Sequence, residues 1–127
     1  MALRARRPAA VVFGVALAAL AFGACAAAEP RGGDAAAGRK IFQSTCVACH
    51  KPDGSGGIKL TGNPTPNWKD PKYVNNPRWT DAYLRDCITN GKMKSGMVAW
   101  GKTGQIKPAD IENLIAYIHT LAARKKK

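Results

Sequence analysis

Five consecutive residues, Cys46, Val47, Ala48, Cys49 and His50, hold the most specific chemistry in this chain. Two thiols three positions apart lie on neighbouring faces of one helical turn. At that spacing both can bond the vinyl groups along one edge of a porphyrin, which leaves one haem tethered by two thioethers. The imidazole that follows at once can swing under the ring and bind iron through one nitrogen, as a proximal ligand does. Cys46 and Cys49 are therefore expected to hold haem c covalently, and His50 to bind its iron.

Two other uses of the motif fit less well. A thioredoxin-like redox pair wants a preceding strand and a βαβ context, and the sequence around Cys46 shows neither. Structural zinc needs four ligands, and after the motif the sequence offers only Cys87 and His119, at no recognised zinc spacing. Cys87 falls in the apolar stripe of a helix, where a lone cysteine behaves as a small hydrophobe. His119 falls at the edge of another stripe and reads as a surface histidine. The second axial ligand should come from the loop between Lys92 and Gly104, which holds Met93 and Met97. Met97 stands between Gly96 and the apolar Val98, Ala99 and Trp100, whereas Met93 is flanked by Lys92 and Lys94. Met97 is the expected distal iron ligand and Met93 the runner-up.

The elements that must position these groups follow from local signals. Asp34 is a suitable N-cap for a helix that runs through Ala35, Ala36 and Ala37 to the cysteines. Gly38 lies inside it at a cost of about 1 kcal/mol against alanine, so another helix is expected to cross closely there, with Phe42 one turn on. Lys51 to Asn76 is rich in glycine, proline and asparagine and reads as a long loop that needs a flat apolar partner. Within it, a carbonyl beside Pro64 or Pro66 is a candidate acceptor for the second nitrogen of His50. Trp68 is expected in the core, with its indole N–H a candidate donor to a haem propionate. Thr80 begins a helix to Asn90 with Tyr83, Leu84, Cys87 and Ile88 on its apolar stripe. Pro108 begins the last helix, whose Ile111, Leu114, Ile115, Ile118, Leu121 and Ala122 recur on one face and should pack around Gly38 and Phe42.

Residues 1–28 read as a cleavable secretory signal peptide: Arg4, Arg6 and Arg7 precede an apolar run from Ala9 to Ala24, and Ala26 to Ala28 offer a cleavage site before Glu29. Phe22 to Cys25 also resembles a lipoprotein box that would place lipid on Cys25, although Phe22 stands where an aliphatic residue is usual. Ordinary cleavage and a periplasmic location are the reading, with a lipid anchor at Cys25 the alternative. Residues 29–127 then form one domain, with a flexible leader at 29–33 and a basic tail at 124–127. The formal charge of +12 over the whole chain falls to +9 when the three signal arginines are lost. A domain of this size buries little apolar surface unaided, so haem should be part of its core and the haem-free chain largely unfolded.

With CVACH first, MVAWG two thirds along and LIAYIHTL near the end, the chain resembles a class I (monohaem) cytochrome c of the bacterial periplasmic type across essentially its whole mature length. Val98 occupies a place where that family usually has proline. The resemblance implies an all-α fold of three or more helices wrapped around one covalent haem, with Gly38, Phe42 and Tyr117 where the first and last helices meet. It also implies one-electron transfer between periplasmic or membrane redox partners, and no enzymatic turnover. Lys51, Lys92, Lys94 and Lys102 flank the haem-contacting stretches and are expected to steer acidic, transient redox partners, not nucleic acid, to a monomer with no membrane span after signal cleavage. The alternatives are a haem subunit tightly bound to a dehydrogenase or oxidase, and a haem peroxidase with a displaceable sixth ligand.

Overall fold

The computed structural model of the chain describes residues 32–123; the stretch read as a signal peptide, with Cys25, and the tail at 124–127 lie outside the described residues. Helix α1 (Ala35–Ile41) is capped by the Asp34 carboxylate, which accepts from the Ala36 N–H at 2.8 Å. It runs into a π-helical turn, Phe42–Cys46, and then into α2 (Val47–His50). Helices α3 (Pro71–Val74), α4 (Asp81–Asn90) and α5 (Pro108–Ala123) follow, with a 3₁₀ turn at Met93–Ser95. Among the described residues there is no β-strand, only an isolated bridge between Lys92 and Met97. The fold is all-α, as expected.

Helix α1 lies directly on α5. A β-carbon added at Gly38 would fall on the Asn113 carbonyl, so only glycine permits the two backbones to touch. One turn on, the Phe42 ring meets Tyr117 at 5.2 Å. Phe42, Leu114 and Leu121 are fully buried, and Ile111, Ile115 and Ile118 complete the α5 face. The Asn113 side chain accepts from the Asp34 N–H at 2.7 Å, fixing the start of α1. Gly33, counted from sequence with the leader, is packed against the Glu112 backbone.

Helix α4 sets Leu84 and Ile88 into the core, and its N-cap Thr80 accepts from the Tyr83 N–H at 3.1 Å. Tyr83 itself is 39 % exposed, which corrects its place in the buried stripe. Arg85 reaches Glu112 at 2.8 Å and Asp81 reaches His119 at 2.7 Å, so α4 is also tied to α5 at the surface. Such exposed pairs contribute little stability. The segment expected to be an unbroken loop contains α3. Asp70 accepts from the Lys72 N–H at 2.9 Å and Pro71 takes the first helical position, two start signals that the surrounding glycine and proline obscured.

Replacing Gly38 by alanine tests the helix crossing. Helix propensity alone would add about 1 kcal/mol of stability. Overlap with Asn113 should instead remove about 1–3 kcal/mol, read from denaturant midpoints of the haem-loaded protein. A gain in stability would contradict the contact.

Candidate haem site

A cavity of about 790 Å³ is lined by the CVACH helix, the loop from Leu60 to Trp68, helix α4 and the Met97 loop. Its size falls within the range of about 300–1,000 Å³ in which ligand pockets lie. Cys46, Cys49, His50 and Met97 all line it, and Leu114 and Ile118 of α5 add apolar wall. The π turn between α1 and α2 inserts an extra residue per turn, so the motif is rotated relative to the Gly38–Phe42 face that grips α5.

Cys46 and Cys49 are free thiols. Burial, with a smaller contribution from Cys49, pushes the Cys46 thiol up to about 11, so it stays protonated at neutral pH. Burial lowers His50 to about 4, so its imidazole is neutral and keeps a lone pair for a metal. Nδ1 of His50 is buried and has no hydrogen-bond partner among the described residues. This corrects the expected hydrogen bond from the imidazole to a carbonyl beside Pro64 or Pro66. The Thr65 carbonyl is taken by the Gly57 N–H at 2.9 Å, the Pro66 carbonyl abuts Gly56, and the imidazole plane is set by stacking on Trp68 at 4.7 Å and 10°.

Trp68 is 4 % exposed, as its core role requires, and its Nε1 is the other buried polar atom without a partner among the described residues. An unpaired buried N–H costs about 1–3 kcal/mol. A porphyrin bearing carboxylates fits this set: an apolar cavity, two free thiols, a neutral imidazole and an unpaired indole donor on a cavity-lining ring.

Met97 is half-buried against the core, and its backbone is held by Lys92 through two hydrogen bonds of 3.0 and 3.2 Å. Met93 is 73 % exposed and is not among the lining residues. Val98 lines the cavity rim at 41 % exposure, so the Lys92–Met97 bridge, not a proline, stiffens the loop. Of the four lysines singled out, Lys92 lines the cavity and Lys51, Lys94 and Lys102 do not. Cys87 is half-buried and also lines it.

Several lining residues escaped the sequence reading. The Thr65 hydroxyl donates to the Cys49 carbonyl at 2.7 Å and accepts from the Ile58 N–H at 3.0 Å, pinning the loop to the motif. Tyr73, Arg78 and Trp79 also line the cavity. Aromatic residues recurring through an otherwise polar stretch around Pro77 were the available signal. Lys51, next to His50, has φ 60° and ψ 152°, a conformation that is nearly glycine-only.

Known proteins resemble the chain over most of its length. Residues 33–118 match the family described as cytochrome C oxidase, cbb3-type, subunit III. The chain is 38 % identical over 98 residues to the cbb3-type cytochrome c oxidase subunit FixP of Bradyrhizobium sp. (strain ORS 278), covering 75 % of this chain and 30 % of that protein. It is 31 % identical over 99 residues to the cytochrome c-type cyt cy of Rhodobacter capsulatus, covering 70 % and 50 %. It is 29 % identical over 86 residues to cytochrome c6 of Diacronema lutheri, covering 68 % and 94 %. The chain thus spans about a third of the FixP relative's length.

Two outcomes check the site. Lys51→Gly should relieve backbone strain of about 1–3 kcal/mol, less the unfolded-chain entropy that glycine adds, and so raise the denaturation midpoint; an unchanged or lower midpoint would show that Lys51 is unstrained. Cys46→Ala and Cys49→Ala should each keep haem on the chain through denaturing electrophoresis with haem staining, and the double variant should lose it. Retention in the double variant would contradict attachment through these thiols.

Proposed function

Since the chain belongs to the cytochrome c family described as cbb3-type oxidase subunit III, we propose that Cys46 and Cys49 carry its haem, that His50 and Met97 bind the iron, and that it shuttles electrons outside the cytoplasm. Class I cytochrome c function is electron transfer, with covalent haem c as the cofactor. Bound haem supplies an iron that takes up and releases one electron. The observation that carries the ligand assignment is that Met97 lines the same cavity as His50 whereas Met93 is 73 % exposed.

A thioether opposite an imidazole favours ferrous iron and raises the potential. The backbone bridge at Met97 and the Trp68 ring stacked on His50 would restrain each ligand to a bound iron, so little would reorganise on electron transfer. Trp68, Ile88, Leu114 and Ile118 give the pocket a buried apolar wall, which would add to the tuning of a bound haem's potential. Lys92 and Arg78 border the cavity beside the exposed Leu60 and Val98, a basic and apolar rim suited to brief, salt-sensitive encounters with an acidic redox protein.

Residues 1–28 serve, on this reading, as an export signal, with the cytochrome domain at 29–127. Among the described residues no helix is long and apolar enough to cross a membrane. A second reading, a haem subunit held in an oxidase, is favoured by the FixP likeness, whereas the near-complete coverage of cytochrome c6 favours a stand-alone domain. Co-purification from the membrane fraction separates the two.

Met97→Ala should abolish the sulfur-to-iron charge-transfer absorption of the ferric protein and lower its potential, with Met93→Ala unchanged in both. Loss in the Met93 variant alone would reverse the assignment. Lys92→Glu should slow reduction by an acidic partner protein and flatten the dependence on ionic strength, because screening then has less attraction to remove; an unchanged salt profile would take docking away from this rim.

A further inference from the structure

Beyond the haem motif the chain runs out as a finger and returns on itself. Three hydrogen bonds close its stem: the Gly57 N–H donates to the Thr65 carbonyl at 2.9 Å, the Thr65 N–H to the Ile58 carbonyl at 2.8 Å, and the Ile58 N–H to the Thr65 hydroxyl at 3.0 Å. That hydroxyl donates in turn to the Cys49 carbonyl at 2.7 Å, so the finger is rooted on the motif. Its tip grips the turn that carries Met97, where the Thr61 hydroxyl donates at 2.9 Å to the carbonyl of Lys94, 33 residues further along the chain. A β-carbon on Gly62 would fall on that same carbonyl, and one on Gly96, whose φ is +81°, would meet the Leu60 side chain at 3.0 Å. We propose that residues 58–65 clamp the Met97 turn to the haem motif, and that Thr61 is a positioning residue that keeps the Met97 thioether on ferric iron.

The turn's own bonds do not supply this hold. Lys92 and Met97 exchange two backbone hydrogen bonds, the Ser95 N–H donates to the Lys92 carbonyl, and the Gly96 N–H donates to the Met93 carbonyl. These bonds set the shape of the turn and leave its distance from the opposite wall to contacts made across the cavity. Leu60 lines the cavity and is 54 % exposed, so the finger meets the turn at the cavity's mouth. Cys49, Thr65, Thr61 and Lys94 thus form a mechanical link between the segments that carry His50 and Met97. A thioether favours ferrous iron, so the ferric state is where Met97 is most readily displaced and where a clamp shifts the balance most. Thr61 is exposed and outside the buried core, so loss of its hydroxyl loosens the grip without opening a core cavity.

The proposal rests on the reading of His50 and Met97 as axial ligands. Its test uses the full haem-loaded chain in the ferric state, with imidazole as the competing ligand and the sulfur-to-iron charge-transfer absorption as the readout. Thr61→Val keeps the shape of the side chain and removes the donor. It should raise the apparent affinity for imidazole about two- to ten-fold, the range that one hydrogen bond supports. Thr61→Ser keeps the donor and should match the unsubstituted chain, whereas Gly62→Ala, which pushes the Lys94 carbonyl away, should act in the same direction as Thr61→Val. A lower denaturation midpoint in Thr61→Val at unchanged imidazole affinity would show a structural role only and overturn the clamp, as would a Thr61→Ser variant that behaves like Thr61→Val. Absence of the charge-transfer absorption from the unsubstituted chain would overturn the Met97 assignment and the clamp with it; its presence with unchanged imidazole affinity in Thr61→Val would overturn the clamp alone.

Discussion

The approach of α1 to α5 at Gly38 is the constraint on which the site depends. Backbone contact with Asn113 fixes α1 in both position and rotation, and the same helical stretch continues through the π turn to Cys46, Cys49 and His50. The motif therefore has no freedom of its own. Any change that spreads the two helices moves the thiols and imidazole together, away from a Met97 that is anchored separately to Lys92.

The second half of the pocket is built by irregular chain, which needs its own fastening. The segment after His50 is clipped by Lys69 on Asp53 at 2.6 Å, by the Trp68 N–H on the Gly54 carbonyl at 3.0 Å and by Thr65 on the Cys49 carbonyl. These bonds turn the loop back over the motif and lay Trp68 against His50. The sharp exit from α2 that this demands is made at Lys51, a residue poorly suited to the conformation it holds. Pocket rigidity is thus obtained at the expense of local strain.

The sequence made the regular part legible and left the aromatic wall hidden, for physical reasons. Helical periodicity exposes the α5 face, and the N-caps Asp34 and Thr80 stand one residue before α1 and α4, so the starts of those two helices could be read directly. The glycine at 38 and the contrast between Met93 and Met97 were likewise local signals. Contacts of Trp68, Trp79 and Tyr83 join residues whose separation has no period, so no pattern in the chain announces them. The expected carbonyl for His50 failed for a related reason: proline marks where a loop stiffens, but the long-range fold decides which carbonyls remain free. Helix α3 was missed because capping signals carry little weight inside glycine- and proline-rich chain.

The central claim is that this domain holds one haem between two retained axial ligands and passes single electrons. An equilibrium redox titration of the exported, haem-loaded chain, followed by its visible spectrum, tests it most directly. The account predicts one reversible one-electron transition between two low-spin spectra, with isosbestic points throughout. A high-spin spectrum in either oxidation state, or an irreversible transition accompanied by ligand loss, would contradict it.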